Sequence, residues 1–255
     1  MTNKKSKKRI LYKEVKSGLK SLKANRTKKC DCAKSDIQLK IVLDRSGSMD
    51  ACKREVIGGF NEYISKLKED NKSNYTVTLV RFDTEFETVY KDLPIKNVPD
   101  LDALTFSPRG LTALNDALGK TINESGKTPK DTKVLMVVFT DGAENASKEF
   151  TVDQVRSLVE SRKADGNWTV VYIGSDLNAQ KHATSYGTPA SNFMPYTNNG
   201  VGVRSAMGTL AQASITFSSN ASQGKAVMDG FFTEGDPDPN VVTGAVVTPT
   251  LTGKA

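Results

Sequence analysis

The segment IVLDRSGSMD, residues 41–50, sets a carboxylate and two hydroxyls at alternate positions, Asp44, Ser46 and Ser48. Ile41, Val42 and Leu43 lead into them as an apolar run. A tight turn asks for Gly or Asn, not for three oxygens in succession. Carboxylate and hydroxyl oxygens are hard donors, suited to Mg²⁺, Mn²⁺ or Ca²⁺ and not to zinc or copper. Two further donors occupy comparable places. Thr112 stands in SPRGLTALNDAL just ahead of a helical pattern, and Asp141 follows the apolar run KVLMVVF two residues on. Each also has a plainer reading. Asp44, Ser48 and Thr112 are good helix caps, and Asp141-Gly142 is a common turn pair. An EF-hand loop would use Asp44, Ser46, Ser48 and Glu55, but Met49 then falls where that loop needs Gly, and a strand precedes it.

Whether these oxygens meet depends on the elements that carry them. IQLKIVL (37–43), YTVTLVRF (75–82), KVLMVVF (133–139) and WTVVYIG (168–174) read as strands. FETVYKDLPI (86–95) reads as a shorter strand whose Pro94 suits a sheet edge. Helical periodicity covers 51–71, 113–123, 152–164 and 201–219, with a short helix near 178–186 and a short strand near 191–195. The unbroken hydrophobicity of KVLMVVF marks a strand buried on both faces. This alternation predicts an α/β fold, a doubly wound and mostly parallel sheet with helices on both faces and one antiparallel edge strand. Such sheets bind ligands outside the carboxyl ends of their strands, where strand order reverses. On that rule Asp44, Ser46, Ser48, Thr112 and Asp141 converge on one edge. Two carboxylates balance one divalent charge, and three neutral hydroxyls fill part of an octahedral shell, leaving a position for water or a partner's oxygen. Gly47 is expected to let the first loop fold tightly.

The net charge of +7 conceals an asymmetry. Residues 1–35 hold 13 Lys and Arg against Glu14 and Asp31, a surplus of +11, while the remainder carries 23 basic and 27 acidic residues. The chain therefore divides into a basic arm (1–35), a mildly acidic body (36–222) and a Pro-, Gly- and Thr-rich tail (223–255) expected to be disordered. The arm has a weak amphipathic pattern interrupted by Gly18. It offers phosphate contacts to nucleic acid, which makes a nucleic-acid-associated protein the alternative reading, although Tyr12 is its only aromatic for base stacking. No apolar run is long enough to span a membrane, and no apolar core follows the basic start as a secretory signal requires. Cys30, Cys32 and Cys52 make an odd set, which points to a reducing, cytoplasmic setting. Two thiols one residue apart do not build a structural zinc site. The chain has a single histidine, His182, and no G-x-S-x-G, Walker A, H-E-x-x-H or dinucleotide-binding glycine motif, so an enzyme is not expected.

DRSGSM, RGLTAL and FTDGAEN, in this order and spacing, resemble the von Willebrand factor A domain over about residues 36–222. That family carries a metal-ion-dependent adhesion site written Asp-x-Ser-x-Ser, then Thr, then Asp. The resemblance implies Asp44, Ser46, Ser48, Thr112 and Asp141 as ligands, with Mg²⁺ (or Mn²⁺ or Ca²⁺) as the cofactor. It also implies a protein partner that completes the metal through a Glu or Asp carboxylate. FNEYI, VRFDTEFETVY and PRGLTALNDALGKTI are similar to stand-alone intracellular members from bacteria and phages, which work beside AAA+ ATPases or in multi-protein complexes. Pro108-Arg109 replaces the glycines that many extracellular members have before Gly110. Arg45 and Arg109 are accordingly expected to lie near the metal and to favour an acidic partner. The resemblance covers neither the arm nor the tail.

Overall fold

The computed structural model describes residues 34–175, 179–225 and 229–232. In chain order these form β1 (Ser35–Asp44), a 3-10 turn (Gly47–Cys52), α1 (Lys53–Glu69), β2 (Ser73–Phe82), β3 (Phe86–Pro94) and α2 (Leu114–Glu124). Then follow β4 (Thr132–Thr140), α3 (Val152–Ala164), β5 (Trp168–Gly174), α4 (Ala179–Ser185), β6 (Phe193–Pro195) and α5 (Gly200–Ser222). The six strands make one sheet in the order β3-β2-β1-β4-β5-β6. All neighbours are parallel except β2 and β3. The expected architecture is therefore present, with β3 as the antiparallel edge.

Side-chain alternation explains the burial. Leu135, Val137 and Phe139 of β4 join a core with α1 and α5, while Val134, Met136 and Val138 join a second core with α2 and α3 on the other face. Each such side chain stabilises the fold by about 1.5–3 kcal/mol. A strand packed on both sides is a rigid platform for whatever stands at its end. Strand order reverses at β1, which pairs with β2 on one side and β4 on the other. Asp44 ends β1 and Thr140 ends β4, so the two meet at that switch point.

The helix expected from residue 51 begins as the 3-10 turn and becomes α-helical only at Lys53. Beyond residue 222, where the body was expected to end, two described residues pack back against it. Phe231 is 7% exposed and packs 6.0 Å from the Phe217 ring. Its N–H donates to Asn192 Oδ1 (3.0 Å), and that of Phe232 donates to Ser191 O (3.1 Å). A short apolar pair after a polar stretch has no period to betray it, yet Phe231 is buried in the core and Phe232 packs against it. The basic arm up to Ala33, with Cys30 and Cys32, and the tail from residue 233 lie outside the described residues. Among the described residues no helix is long and apolar enough to cross a membrane.

Candidate functional site

Asp44 is fully buried at the end of β1. Its Oδ1 accepts the Ser46 N–H at 2.6 Å, and its Oδ2 accepts the Thr140 hydroxyl at 2.5 Å. Burial pushes its carboxyl up to about 6, and the nearby Asp141 adds to the rise, while the Thr140 and Ser46 donors oppose it. The chain then turns. Ser46 Oγ lies 3.1 Å from Ser48 Oγ, and the Ser48 hydroxyl donates to Asp141 Oδ1 at 2.6 Å. Asp141 is also buried, and burial raises its carboxyl above the ordinary value, with Ser48 and Asn198 acting against that rise. Asn198 Nδ2 donates to Asp141 Oδ2 at 3.0 Å.

Thr112 is buried in the second loop. Its backbone exchanges two bonds with Asn145, N–H to Oδ1 at 2.8 Å and carbonyl from the Asn145 N–H at 3.0 Å. A Cβ built on Gly142 would stand 3.4 Å from Thr112 Oγ1 and 4.0 Å from Ser48 Oγ. The three loops thus come together around Gly142, and all five expected oxygen-bearing residues lie on this edge. Gly47 corrects a smaller expectation. Its backbone is not left-handed, and a Cβ there would meet only Gly110 O at an ordinary 3.5 Å. The left-handed glycine of the site is Gly110, at φ 66°, where a Cβ would press to 2.8 Å from Thr84 Oγ1.

The two arginines differ in their access to a partner. Arg45 is 6% exposed. Its Nε donates to Asp83 Oδ2 at 3.0 Å and one terminal nitrogen to Glu87 Oε2 at 2.9 Å. Arg45 lies in a short turn, and the carboxylates of Asp83, just after β2, and Glu87, in β3, hold its side chain. Arg109 remains more than half exposed, with Asp83 and Glu85 as partners. Among the described residues neither Asp44 nor Asp141 has an ion-pair partner. Three arginines close by in the fold, Arg45, Arg81 and Arg109, are matched instead to Asp83, Glu85 and Glu87.

The donor set fits a small hard cation. An octahedral Mg²⁺ with oxygens at 2.0–2.1 Å has neighbouring ligands about 2.9 Å apart, whereas the longer Ca²⁺ bonds space them at roughly 3.3 Å or more. The 3.1 and 2.6 Å separations along Ser46, Ser48 and Asp141 are hydrogen-bond lengths and do not select between the two. Among the described residues no group of three or more His, Cys, Asp or Glu comes together as a metal centre, so a cation here would depend on hydroxyls. An open groove of about 450 Å³ between α2 and α3, lined by Asn123, Phe150, Asp153 and Leu158, shares no residue with this edge.

Sequence reasoning missed Thr140, Asn198 and Asp83. Thr140 was within reach of it, because the parallel pairing that matches Leu43 to Phe139 brings Thr140 beside Asp44. Asn198 reaches Asp141 from a loop 57 residues away, and no local pattern announces it.

No family model matches the sequence, and no curated protein matches it. Solved structures do share its fold. The pilus adhesin SpaC from Lactobacillus rhamnosus GG, in an open conformation, superposes with a TM-score of 0.56 at 15% identity, over 72% of this chain and 30% of that one. Proximal thread matrix protein 1 from the mussel byssus gives 0.51 at 16% identity over 69% of this chain, which spans about half (47%) of the byssus protein. The vWF domain of the type V pili tip protein Mfa5 from Porphyromonas gingivalis gives 0.52 at 13% identity, over 71% of this chain and 96% of that domain. At such identities the likeness is one of fold, and the fold of this chain is that of a von Willebrand factor A-like domain.

Proposed function

We propose that this edge binds one divalent cation of Mg²⁺ size and presents it to a carboxylate of a partner protein, as a non-enzymatic binding module. One observation carries the reading. Two buried carboxylates without a cationic partner share an edge with the hydroxyls of Ser46 and Ser48, which form a hydrogen-bonded chain to Asp141. Ser46, Ser48 and Thr112 would hold the ion with neutral oxygens, and Asp44 and Asp141 would supply the balancing charge, directly or through water. Bound there, the ion supplies an electrophilic position for an oxygen from outside. Thr140 and Asn198 hold the two carboxylates in orientation. Arg109, exposed at the rim, is the cation best placed to favour an acidic side chain. The family resemblance of the three motifs adds a class of partner, an AAA+ ATPase or a multi-protein complex, in a cytoplasmic setting.

The test is affinity capture of partners on the full chain with Mg²⁺, repeated with EDTA and with Asp44→Ala. Capture that needs both the ion and Asp44 supports the reading. Thr112→Ala should weaken partner binding more than cation binding, because it loosens the shell without removing charge. Equal cation affinity in wild type and Asp44→Ala, measured by calorimetry, would overturn it.

A further inference from the structure

We infer that Asp83 is a positioning residue that locks the two hydroxyl-bearing loops to each other, and that the turn it opens is the platform of the site. This rests on the reading above, since a cation would sit between those loops. Asp83 follows β2 and is 1% exposed. Its Oδ1 accepts the Glu85 N–H at 2.7 Å, which fixes its own turn. Its Oδ2 takes Arg45 Nε and Arg109 Nε, both at 3.0 Å. One oxygen thus joins a side chain from the Ser46 loop to a side chain from the Thr112 loop. The Asp83 carbonyl accepts the Ala113 N–H at 3.0 Å, immediately after Thr112. The next residue continues the pattern, as Thr84 Oγ1 accepts the Leu111 N–H at 3.0 Å.

The loops then bond to each other directly. The Arg109 N–H donates to Arg45 O at 2.8 Å, and the Gly47 N–H donates to Gly110 O at 3.2 Å. The left-handed Gly110 lets the second loop approach Thr84 this closely. Charge-assisted bonds to a buried carboxylate are the strong ones, and a buried charge tolerates no loss of its partner. The Asp83 carboxylate bonds to Arg45, Glu85 and Arg109, so its effect on Ser46, Ser48 and Thr112 runs through the backbone that carries them. The sheet ladder of β1, β2 and β4 does not depend on it.

The experiment is amide hydrogen exchange by NMR on the metal-free full chain, wild type against Asp83→Asn, with Mn²⁺ affinity measured by electron paramagnetic resonance on both. The expected result is exchange at least tenfold faster at Gly47, Leu111 and Ala113, unchanged protection at Val42 and Val137 in the sheet, and Mn²⁺ affinity at least tenfold weaker. Unchanged loop amides would overturn the proposal. So would an equal loss at Val42 and Val137, which would make Asp83 a contributor to global stability alone. Should Asp83→Asn fail to fold, Arg109→Gln, at a more exposed residue, is judged by the same amides. A wild type that binds no Mn²⁺ would sink the cation reading, while the exchange pattern would still decide the role of Asp83.

Discussion

Asp44→Asn removes a charge and almost nothing else, and its effect on stability follows from the burial of Asp44. The folded carboxyl titrates at about 6 against an ordinary value of 3.8, so the folded protein holds this proton more tightly than the unfolded chain does. Stability from this group is therefore greatest below about pH 3.8, falls as pH rises through the window to about 6, and stays low above it. A rise of about two pH units corresponds to about 3 kcal/mol. The amide can keep the hydrogen bonds. Its oxygen accepts the Ser46 N–H, and its NH₂ donates to Thr140 Oγ1, whose own proton turns to Gly142 O, 3.2 Å away. Metal-free Asp44→Asn should accordingly be more stable than wild type at pH 7.5 by about 3 kcal/mol, or roughly 6–12 °C in Tm for a domain of this size. The two should converge near pH 4. The assay is urea unfolding in EDTA across pH 4–7.5. A difference that does not change with pH, or a less stable variant at pH 7.5, would refute the argument. Added Mg²⁺ should then raise the stability of the wild type and leave the variant unchanged, because only a form that binds the ion gains from mass action.

Three further outcomes follow from particular contacts. Asn198→Ala deletes a hydrogen bond that orients the Asp141 carboxylate, so Mg²⁺ affinity measured by calorimetry should fall, and urea unfolding without the ion should lose about 1.5–3 kcal/mol. Cys52 is fully buried, and burial pushes its thiol up to about 11. With Cys30 and Cys32 replaced by Ser, a thiol reagent at pH 8 should therefore stay silent until denaturant is added. Phe231→Ala should cost about 3 kcal/mol in urea unfolding, as for other buried aromatic residues, because its ring closes on Phe217.

The sheet was legible because its strands are buried on two faces and read as apolar runs, with KVLMVVF the plainest. The five oxygen-bearing residues were legible for a related reason. Asp44 and Asp141 follow buried strands closely, and the switch-point rule needs only strand order to bring them together. Side-chain direction was not legible. Arg45 follows Asp44 in sequence and was expected near the metal, but the identity of its partner is decided by Asp83 and Glu87, 38 and 42 residues further on. Long, flexible cations go where buried carboxylates draw them, and sequence proximity does not record which carboxylates are buried. Phe231 escaped for a different reason. A two-residue aromatic anchor is too short to show any period, so the segment carrying it looked like tail.

The distribution of charge on this edge has one more consequence. Asp44, Asp83 and Asp141 are all buried, and three arginines lie within reach of the same loops. Of these three carboxylates only Asp83 pairs with any of them, taking Arg45 and Arg109 on a single oxygen, while Arg81 goes to Glu87. A fold that needed these carboxylates for stability alone would pair each with a cation, or replace it with an apolar residue at little cost. Here the paired carboxylate holds backbone and the unpaired ones face the serines. Asp83 is therefore neutralised and cannot compete for a cation, while Asp44 and Asp141 keep negative charge that burial makes costly. That residual charge is what a divalent ion would relieve. The hydroxyls add no charge, and carboxylates acting through water would neutralise the ion only in part, so the remaining attraction would act on an oxygen from outside. On this proposal the same separation would let the site hold its shape without an ion. With the loops held by the Asp83 network, cation binding would not have to meet the entropy cost of ordering them.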